Sequence, residues 1–408
     1  MAIREIKQDI YAVGAIDWDR RLFDELIPLP DGTSYNSYLI KGDEKVALID
    51  TVDPTKSQEL FNNLKELNVS HIDYVIANHA EQDHSGTLPG ILDLYPDAQV
   101  VTNERCKDML ADLFLIPEKR FLIKEDRETL YVGNKTLEFM KAPWVHWPET
   151  IFTYDREDKI LFTCDFLGSH LATSDLFVTN EAKVYESAKR YYAEIMMPFR
   201  SSFGRYLDTI HNIRVDIIAP SHGPLYHNPE FIMNAYREWI SDNVKNEVVI
   251  PYVSMHGSTA ALVHYLIDAL MKRDITVKPF NLTRTDIGEL AMSLVDAATL
   301  VVACPTMLIG PHPYAAHAVF LVNALRPKLR HVSVIGSYGW GGRMLEHIEG
   351  MMSNMKVDFI EPVIVKGYPK ENDFSMLEKL ADEILERHRR LDIVSPENIL
   401  VRTPVYKK

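Results

Sequence analysis

Asn78-His79-Ala80-Glu81-Gln82-Asp83-His84-Ser85-Gly86 sets two imidazoles and two carboxylates side by side, directly after the apolar run Tyr74-Val75-Ile76-Ala77. On a loop leaving a sheet, this spacing can turn four side chains towards one point, whereas a helix would spread them around most of its circumference. For this stretch alone, a polar surface turn is the alternative. Three further segments have the same character. Val145-His146-Trp147-Pro148 follows a strand pattern, Cys164-Asp165-Phe166 ends Ile160-Leu161-Phe162-Thr163, and Pro220-Ser221-His222-Gly223-Pro224 ends Ile217-Ile218-Ala219. Together they predict a metal site built on strand ends from mixed nitrogen and oxygen donors.

Working outward, Ser37–Ile40, a Lys-Gly-Asp-Glu turn and Val46–Asp50 predict a hairpin. Helical periodicity over 55–67 puts Leu60, Phe61, Leu64 and Leu67 on one face. Short strands are expected at 98–102, 136–140, 151–154, 159–163 and 215–219, and a polar-ended helix at 229–246. Strands and helices mixed in this way suggest an α/β sandwich. From 247 onward the pattern changes. Strands at 247–253, 275–280, 298–304, 331–336 and 357–365 alternate with helices near 258–272, 286–295, 312–325, 343–355 and 371–389, as a doubly wound, flavodoxin-like parallel sheet requires. The expected domains are therefore 1–246 and 247–408.

The chain has 408 residues, of which 46% are hydrophobic and 25% charged, a globular balance that excludes disorder. Its net charge of −14 argues against nucleic acid, which needs Lys and Arg to displace counterions. Cys106, Cys164 and Cys304 form no CxxC pair, so zinc ribbons and rubredoxin-type centres are excluded, and a reducing compartment is expected. The N-terminus alternates charges, and no stretch is long and apolar enough to span a membrane. A cytoplasmic protein without a membrane partner is the expectation.

The metal segments resemble the metallo-β-lactamase superfamily signature HxHxDH, with Glu81 in place of its second His. With His146-Trp147-Pro148 and the flavodoxin-like half, the chain resembles the flavodiiron proteins (A-type flavoproteins) over nearly its whole length. The resemblance implies an N-terminal metallo-β-lactamase-like αββα sandwich holding two iron ions as a non-haem diiron centre. One metal would take His79, Glu81 and His146, the other Asp83, His84 and His222, and Asp165 would bridge them. Glu81 has a chemical rationale here: extra carboxylate oxygens suit a harder ion than zinc and favour the ferric state. A dizinc metallo-β-lactamase-like hydrolase with an appended flavodoxin domain is the alternative. His170 is a candidate catalytic pocket donor or a plain surface histidine; Tyr192, like Tyr191, could bring a phenol to the site or pack in the core.

In the second half, Ser254-Met255-His256-Gly257-Ser258-Thr259 links a strand to a helix, and hydroxyls and amides at a helix start form a ready anion site. The loop is similar to the S/T-x-T-G-x-T phosphate loop of flavodoxins, with His256 at its third position. Pro305 and Thr306 end the third strand, and Ser337, Tyr338, Gly339, Trp340 and Gly341 the fourth, where a doubly wound sheet binds its ligand. FMN is the expected cofactor. With no GxGxxG present, direct NAD(P)H binding is disfavoured.

Taken together, the resemblance implies reduction of O2 to water, of NO to N2O, or both, with FMN relaying electrons to the irons. Because no rubredoxin or flavin reductase domain follows the flavodoxin-like half before Lys408, an external donor, rubredoxin or reduced coenzyme F420, is expected. The resemblance also implies a head-to-tail homodimer, alone or as a dimer of dimers, with the flavin of one subunit facing the irons of the other.

Overall fold

The Gly42-Asp43 turn joins Tyr38–Lys41 to Val46–Ile49 as an antiparallel pair, and the side chains of both strands alternate between two buried layers. Tyr38, Ile40, Ala47 and Ile49 face one way, and Leu39, Val46 and Leu48 the other. Apolar burial on both faces explains why these segments read as continuous apolar runs. The structure is a computed structural model and describes residues 3–394. It divides into two units, Met1–Ile240 and Ser241–Lys408. The division falls at 240 and not after 246, because the helix Pro229–Ile240 stops before Ser241-Asp242-Asn243 and the next strand already starts at Lys245. Asp and Asn compete with the helix for backbone hydrogen bonds.

The first unit is an αββα sandwich. A seven-stranded sheet runs Arg4–Lys7, Ile10–Ala12, Tyr38–Lys41, Val46–Ile49, Tyr74–Ile76, Gln99–Thr102, Phe121–Ile123. A five-stranded sheet runs Thr129–Tyr131, Thr136–Lys141, Ile151–Asp155, Ile160–Cys164, Ile217–Pro220. Their facing sides share one core, where Ile10, Tyr38, Ile49 and Ile76 meet Leu137, Phe139, Ile160 and Phe162. Helices Ser57–Glu66, Leu88–Leu94 and Glu104–Phe114 cover the outside of the first sheet with Leu60, Leu64, Ile91 and Leu110. Outside the second sheet, Phe152 and Phe166 pack with Phe203, Tyr206 and Tyr236 from the helices Phe203–His211 and Pro229–Ile240.

Topology brings the strand ends together. Thr136–Lys141 and Ile160–Cys164 both run antiparallel to Ile151–Asp155, and Ile217–Pro220 runs parallel to Ile160–Cys164. Three C-terminal ends therefore meet at one edge of the second sheet. Asn78 ties the first sheet to that edge. Its backbone N–H and side-chain amide donate to Asp50 at 2.8 and 3.0 Å, while its carbonyl accepts from the Ile151 N–H at 2.9 Å and its Oδ1 from the Thr153 hydroxyl at 2.7 Å.

The second unit is a parallel sheet in the order Thr276–Asn281, Lys245–Tyr252, Ala297–Met307, His331–Tyr338, with Asp358–Phe359 and Val363–Lys366 at the far edge. This is the 2-1-3-4-5 order of a flavodoxin-like sheet, with separate cores on its two faces. The single strand expected at 357–365 is split in two, since Pro362 has no N–H to give the ladder.

Phe166 is fully buried and touches four other rings. Truncation to Phe166→Ala is expected to cost about 3–5 kcal/mol of stability, read as a lower urea midpoint in chemical denaturation. A loss below about 1 kcal/mol would show that this aromatic layer does not carry the sheet end next to Asp165.

Candidate functional site

The strand Tyr74–Ile76 gives way to an extended stretch through His79 and Glu81, and Glu81 precedes a single helical turn, Gln82–Ser85. The segment is thus not loop throughout. One turn is too short to scatter Asp83 and His84, which stay on the same side as the residues before it. Four side chains, His79, Glu81, His146 and Asp165, each place a ligand atom within 4.8 Å of the others, as do Asp83, His84 and His222. Asp165 stands between the sets. One of its oxygens lies 2.9 Å from His84 Nε2 and 3.4 Å from His222 Nε2. The other lies 3.3 Å from His146 Nε2 and 3.5 Å from His79 Nε2. Glu81 Oε2 is 3.1 Å from both His79 and His146, and Asp83 reaches His84 at 3.2 Å and His222 at 3.1 Å.

These atoms are close but are not arranged as hydrogen bonds throughout. Both oxygens of Asp165, Asp83 Oδ1 and His84 Nε2 are buried and have no hydrogen-bond partner among the described residues. Orphaned polar atoms in a dry pocket are costly, and cations placed between them would satisfy all four. A donor set of four imidazoles and three carboxylates fits two such ions, and its oxygen content suits iron.

The imidazoles are oriented from behind, as metal-ligating histidines ordinarily are. His79 Nδ1 donates to Glu149 Oε1 at 2.6 Å, which also accepts the Ala80 N–H at 3.1 Å. His222 Nδ1 donates to the Ser34 carbonyl at 2.6 Å. His84 Nδ1 is buried without such a partner among the described residues, so its ring is the least constrained of these three. His170 borders the site: its ring lies 4.8 Å from that of His222 and 4.8 Å from Tyr191, Thr33 Oγ1 is 2.9 Å from its Nδ1, and Phe23 packs on it at 5.1 Å. Tyr192 does not join it. Its hydroxyl donates to the Trp239 carbonyl at 3.3 Å and its ring packs on Tyr236 and Trp239, because consecutive helical positions point about 100° apart and Tyr191 takes the inward one.

In the second unit, Ser254, Met255, His256, Ser258, Thr259, Pro305, Thr306, Ser337, Tyr338 and Gly339 line one cavity of about 200 Å³ at the strand ends. Gly367, which the sequence reading passed over, completes it. Three expected contacts stand outside this lining. Gly257 contributes backbone conformation, at φ 93° before the helix Ser258–Met271, and Gly341 does the same at φ 116°. Trp340 is 79% exposed.

Residues 33–223, which hold all seven ligand-type side chains, match the model of the ODP family beta lactamase. Nitric oxide reductase of Moorella thermoacetica is 34% identical over 391 residues, 94% of this chain and 98% of that protein. Rubredoxin oxygen:oxidoreductase from the anaerobe Desulfovibrio gigas superposes with a TM-score of 0.90 at 27% identity, over 96% of this chain and 100% of that one. For the flavodiiron protein of Giardia intestinalis the values are 0.87 and 26%, over 96% and 97%. The chain belongs to the flavodiiron protein family.

Electrostatics in this flavodiiron protein follow from burying opposite charges together. Burial alone would depress the His146 imidazole, but the carboxylates of Asp165 and Glu81 beside it outweigh burial and raise it to about 9. His222 is raised to about 10 in the same way, by Asp165 and Asp83. Asp165 is held well below the usual carboxylate range: burial opposes this, and the charge of His84 with the close imidazoles of His146 and His222 overcomes it. His170 goes the other way, depressed by burial and then by His222.

Two residues near the site escaped the sequence reading. Glu149 lies three positions after His146, and that short spacing to a candidate ligand was its only signal. Asp24 occupies, with Glu25, a left-handed turn between Leu22–Phe23 and Ile27–Pro28. Partial loss of water and the charges of Glu81 and Asp83 raise its carboxyl, against the pull of His146 and Arg20.

Glu149→Gln is expected to weaken metal binding about 10–100-fold, measured by chelator competition on the folded, metal-free protein; an unchanged affinity would remove Glu149 from the site. Metal must also displace the protons held by His146 and His222 up to about 9 and about 10. Uptake at neutral pH should therefore release protons, and affinity should climb as pH rises towards those values. Affinity that is flat with pH would contradict this.

Proposed function

We propose that this flavodiiron protein is an oxidoreductase that reduces NO to N2O, O2 to water, or both, with FMN passing electrons to a non-haem diiron centre. What carries the reading is the convergence of seven ligand-type residues on orphaned, buried oxygen and nitrogen atoms with Glu81 among them. The names of the relatives, nitric oxide reductase and rubredoxin oxygen:oxidoreductase, supply the two gases.

His79, Glu81 and His146 would hold one iron, Asp83, His84 and His222 the other, and Asp165 would bridge. The irons and FMN together supply the electrons, two for the coupling of two NO to N2O and water, four for the reduction of O2 to two waters. Residues of the chain set the geometry around this chemistry. Glu149 and the Ser34 carbonyl fix the ring faces of His79 and His222. Phe23, Tyr191 and the depressed imidazole of His170 wall the pocket with apolar or neutral groups. His170 Nδ1 lies 2.9 Å from the Thr33 hydroxyl, and its Nε2 is buried and unpartnered among the described residues, which would leave it to hydrogen-bond an oxygen atom in the pocket.

In the second unit the cavity lined by Ser254 to Thr259, Pro305, Thr306 and Ser337 to Gly339 would take FMN. Metal ligands and flavin cavity lie in different units, which favours a head-to-tail homodimer, or a dimer of dimers, in which each flavin serves the partner's irons. Rubredoxin or reduced F420 is the external donor in this reading, and the cytoplasm is the compartment. Among the described residues no helix is long and apolar enough to cross a membrane.

Protein from its native host, reduced anaerobically and pulsed separately with O2 and NO, should consume at least one gas and contain iron and FMN in the same sample. Zinc in place of iron, with neither gas consumed, would overturn the proposal.

A further inference from the structure

Between the metal pocket and the surface of the first unit lies a run of aromatic side chains that can lose an electron. Tyr191 stands at the pocket, its ring 4.8 Å from that of His170 and 5.8 Å from that of His222. Tyr192 follows it in the chain and packs on Trp239 at 5.3 Å. Trp239 in turn meets Tyr185 at 5.3 Å, and its indole N–H donates to the Tyr185 hydroxyl at 3.1 Å. Tyr191, Tyr192 and Trp239 are buried, whereas Tyr185 is partly exposed. Packing alone does not account for this choice of residues. Phe fills such space without a polar atom to satisfy, as Phe166 and Phe203 do in the same aromatic layer, and each buried hydroxyl or indole N–H adds a group that must find a partner. Phe is also far harder to oxidise than Tyr or Trp. The stretch after Tyr191 is a π-helical turn, Tyr192–Met196, a distortion that frequently marks functional positions.

We propose that Tyr191, Tyr192, Trp239 and Tyr185 form a route by which oxidising equivalents leave the metal pocket when O2 has received fewer than four electrons, so that a thiol at the surface completes its reduction. The proposal rests on the O2-reducing reading above and adds a protective activity to it. Tyr191 gives one electron and its phenolic proton to oxygen in the pocket. An electron from Trp239 refills it through Tyr192, and a proton is returned from water. Oxidised Trp239 is restored by Tyr185, whose hydroxyl already holds its N–H. Tyr185 releases its own proton to solvent and regains one when a thiol reduces it. Two such passages break two S–H bonds and form one S–S bond, while the O–O bond of the substrate breaks. Two electrons from the irons, two from the thiols, two protons from the thiols and two from water make up the four electrons and four protons that take O2 to two waters. Tyr236 also touches Tyr192 and Trp239, at 5.4 and 5.2 Å, but its hydroxyl is buried without a partner among the described residues. Oxidation there would leave a proton with no acceptor, and the route passes it by.

The test uses full-length protein carrying iron and FMN, reduced anaerobically by two electrons per subunit and mixed with excess O2. Without a thiol, frozen-solution EPR should show an organic radical, and peptide mass spectrometry should find added oxygen at Tyr185. Glutathione should abolish both and be recovered as its disulfide. Trp239→Phe should keep its iron and FMN and consume O2 as before when electron donor is ample, yet lose the oxidation at Tyr185 and gain it at Tyr191. Tyr185→Phe, at a partly exposed position, interrupts the route with little cost to the fold. Its radical should be a tryptophanyl, told from a tyrosyl by its EPR splitting, and should persist in the presence of glutathione. Undiminished oxidation at Tyr185 in Trp239→Phe, or O2 consumption by the wild type with no radical and no modified aromatic residue, would overturn the route. So would consumption of NO alone, which leaves the parent reading standing. A wild type that holds iron and FMN and consumes neither gas would overturn the parent reading instead. Should Trp239→Phe fail to fold, Tyr185→Phe decides: a tyrosyl radical in that variant contradicts the route.

Discussion

The buried carboxylate of Asp165 is the constraint around which the first unit is organised. Four imidazole nitrogens lie between 2.9 and 3.5 Å from its two oxygens, and the carboxylate itself is buried. An isolated charge there would cost several kcal/mol, so the fold has to deliver compensating groups from both sheets at once. The first sheet sends His79, Glu81, Asp83 and His84. The second sends His146, Asp165 and His222. Asn78 fastens the two edges just behind His79. The αββα sandwich is thus the means by which strand ends far apart in sequence are brought within a few ångströms.

The seven ligand-type residues that cluster were legible because chemistry crowds them. His79 to His84 is a local cluster, and His146, Asp165 and His222 each close an apolar run. Glu149 and the Ser34 carbonyl were not, since a lone Glu after Trp-Pro looks like any surface residue, and a backbone carbonyl has no signature at all. Asp24 depends on a two-residue turn whose position over the pocket is a tertiary fact. The choice between Tyr191 and Tyr192 turns on helical phase, which the break into a π-helical turn at Tyr192–Met196 obscures.

Periodicity did better for the second unit, whose five strands and five helices appear in the expected order. The departures have local causes. Pro362 interrupts the edge strand, and Ala297–Met307 runs past its expected end into a short hairpin with Gly310–Pro311. Leu308 and Ile309 at its tip adopt φ of 48° and 74° and are largely exposed, a conformation that costs a β-branched side chain more than it would cost Gly or Asn. No hydropathy pattern foretells that, because the sequence offers apolar residues where a turn would ordinarily be polar.

The order in which the ligands occur along the chain has a consequence for biosynthesis. All seven lie between His79 and His222, and the first unit closes at Ile240 before any strand of the flavin unit begins. Domains fold as units while the chain emerges from the ribosome, N-terminal first. The metal pocket can therefore be shaped, and filled, on a nascent chain that does not yet possess the flavin half. The two units can then meet their ligands at different times, the first before the second has been made.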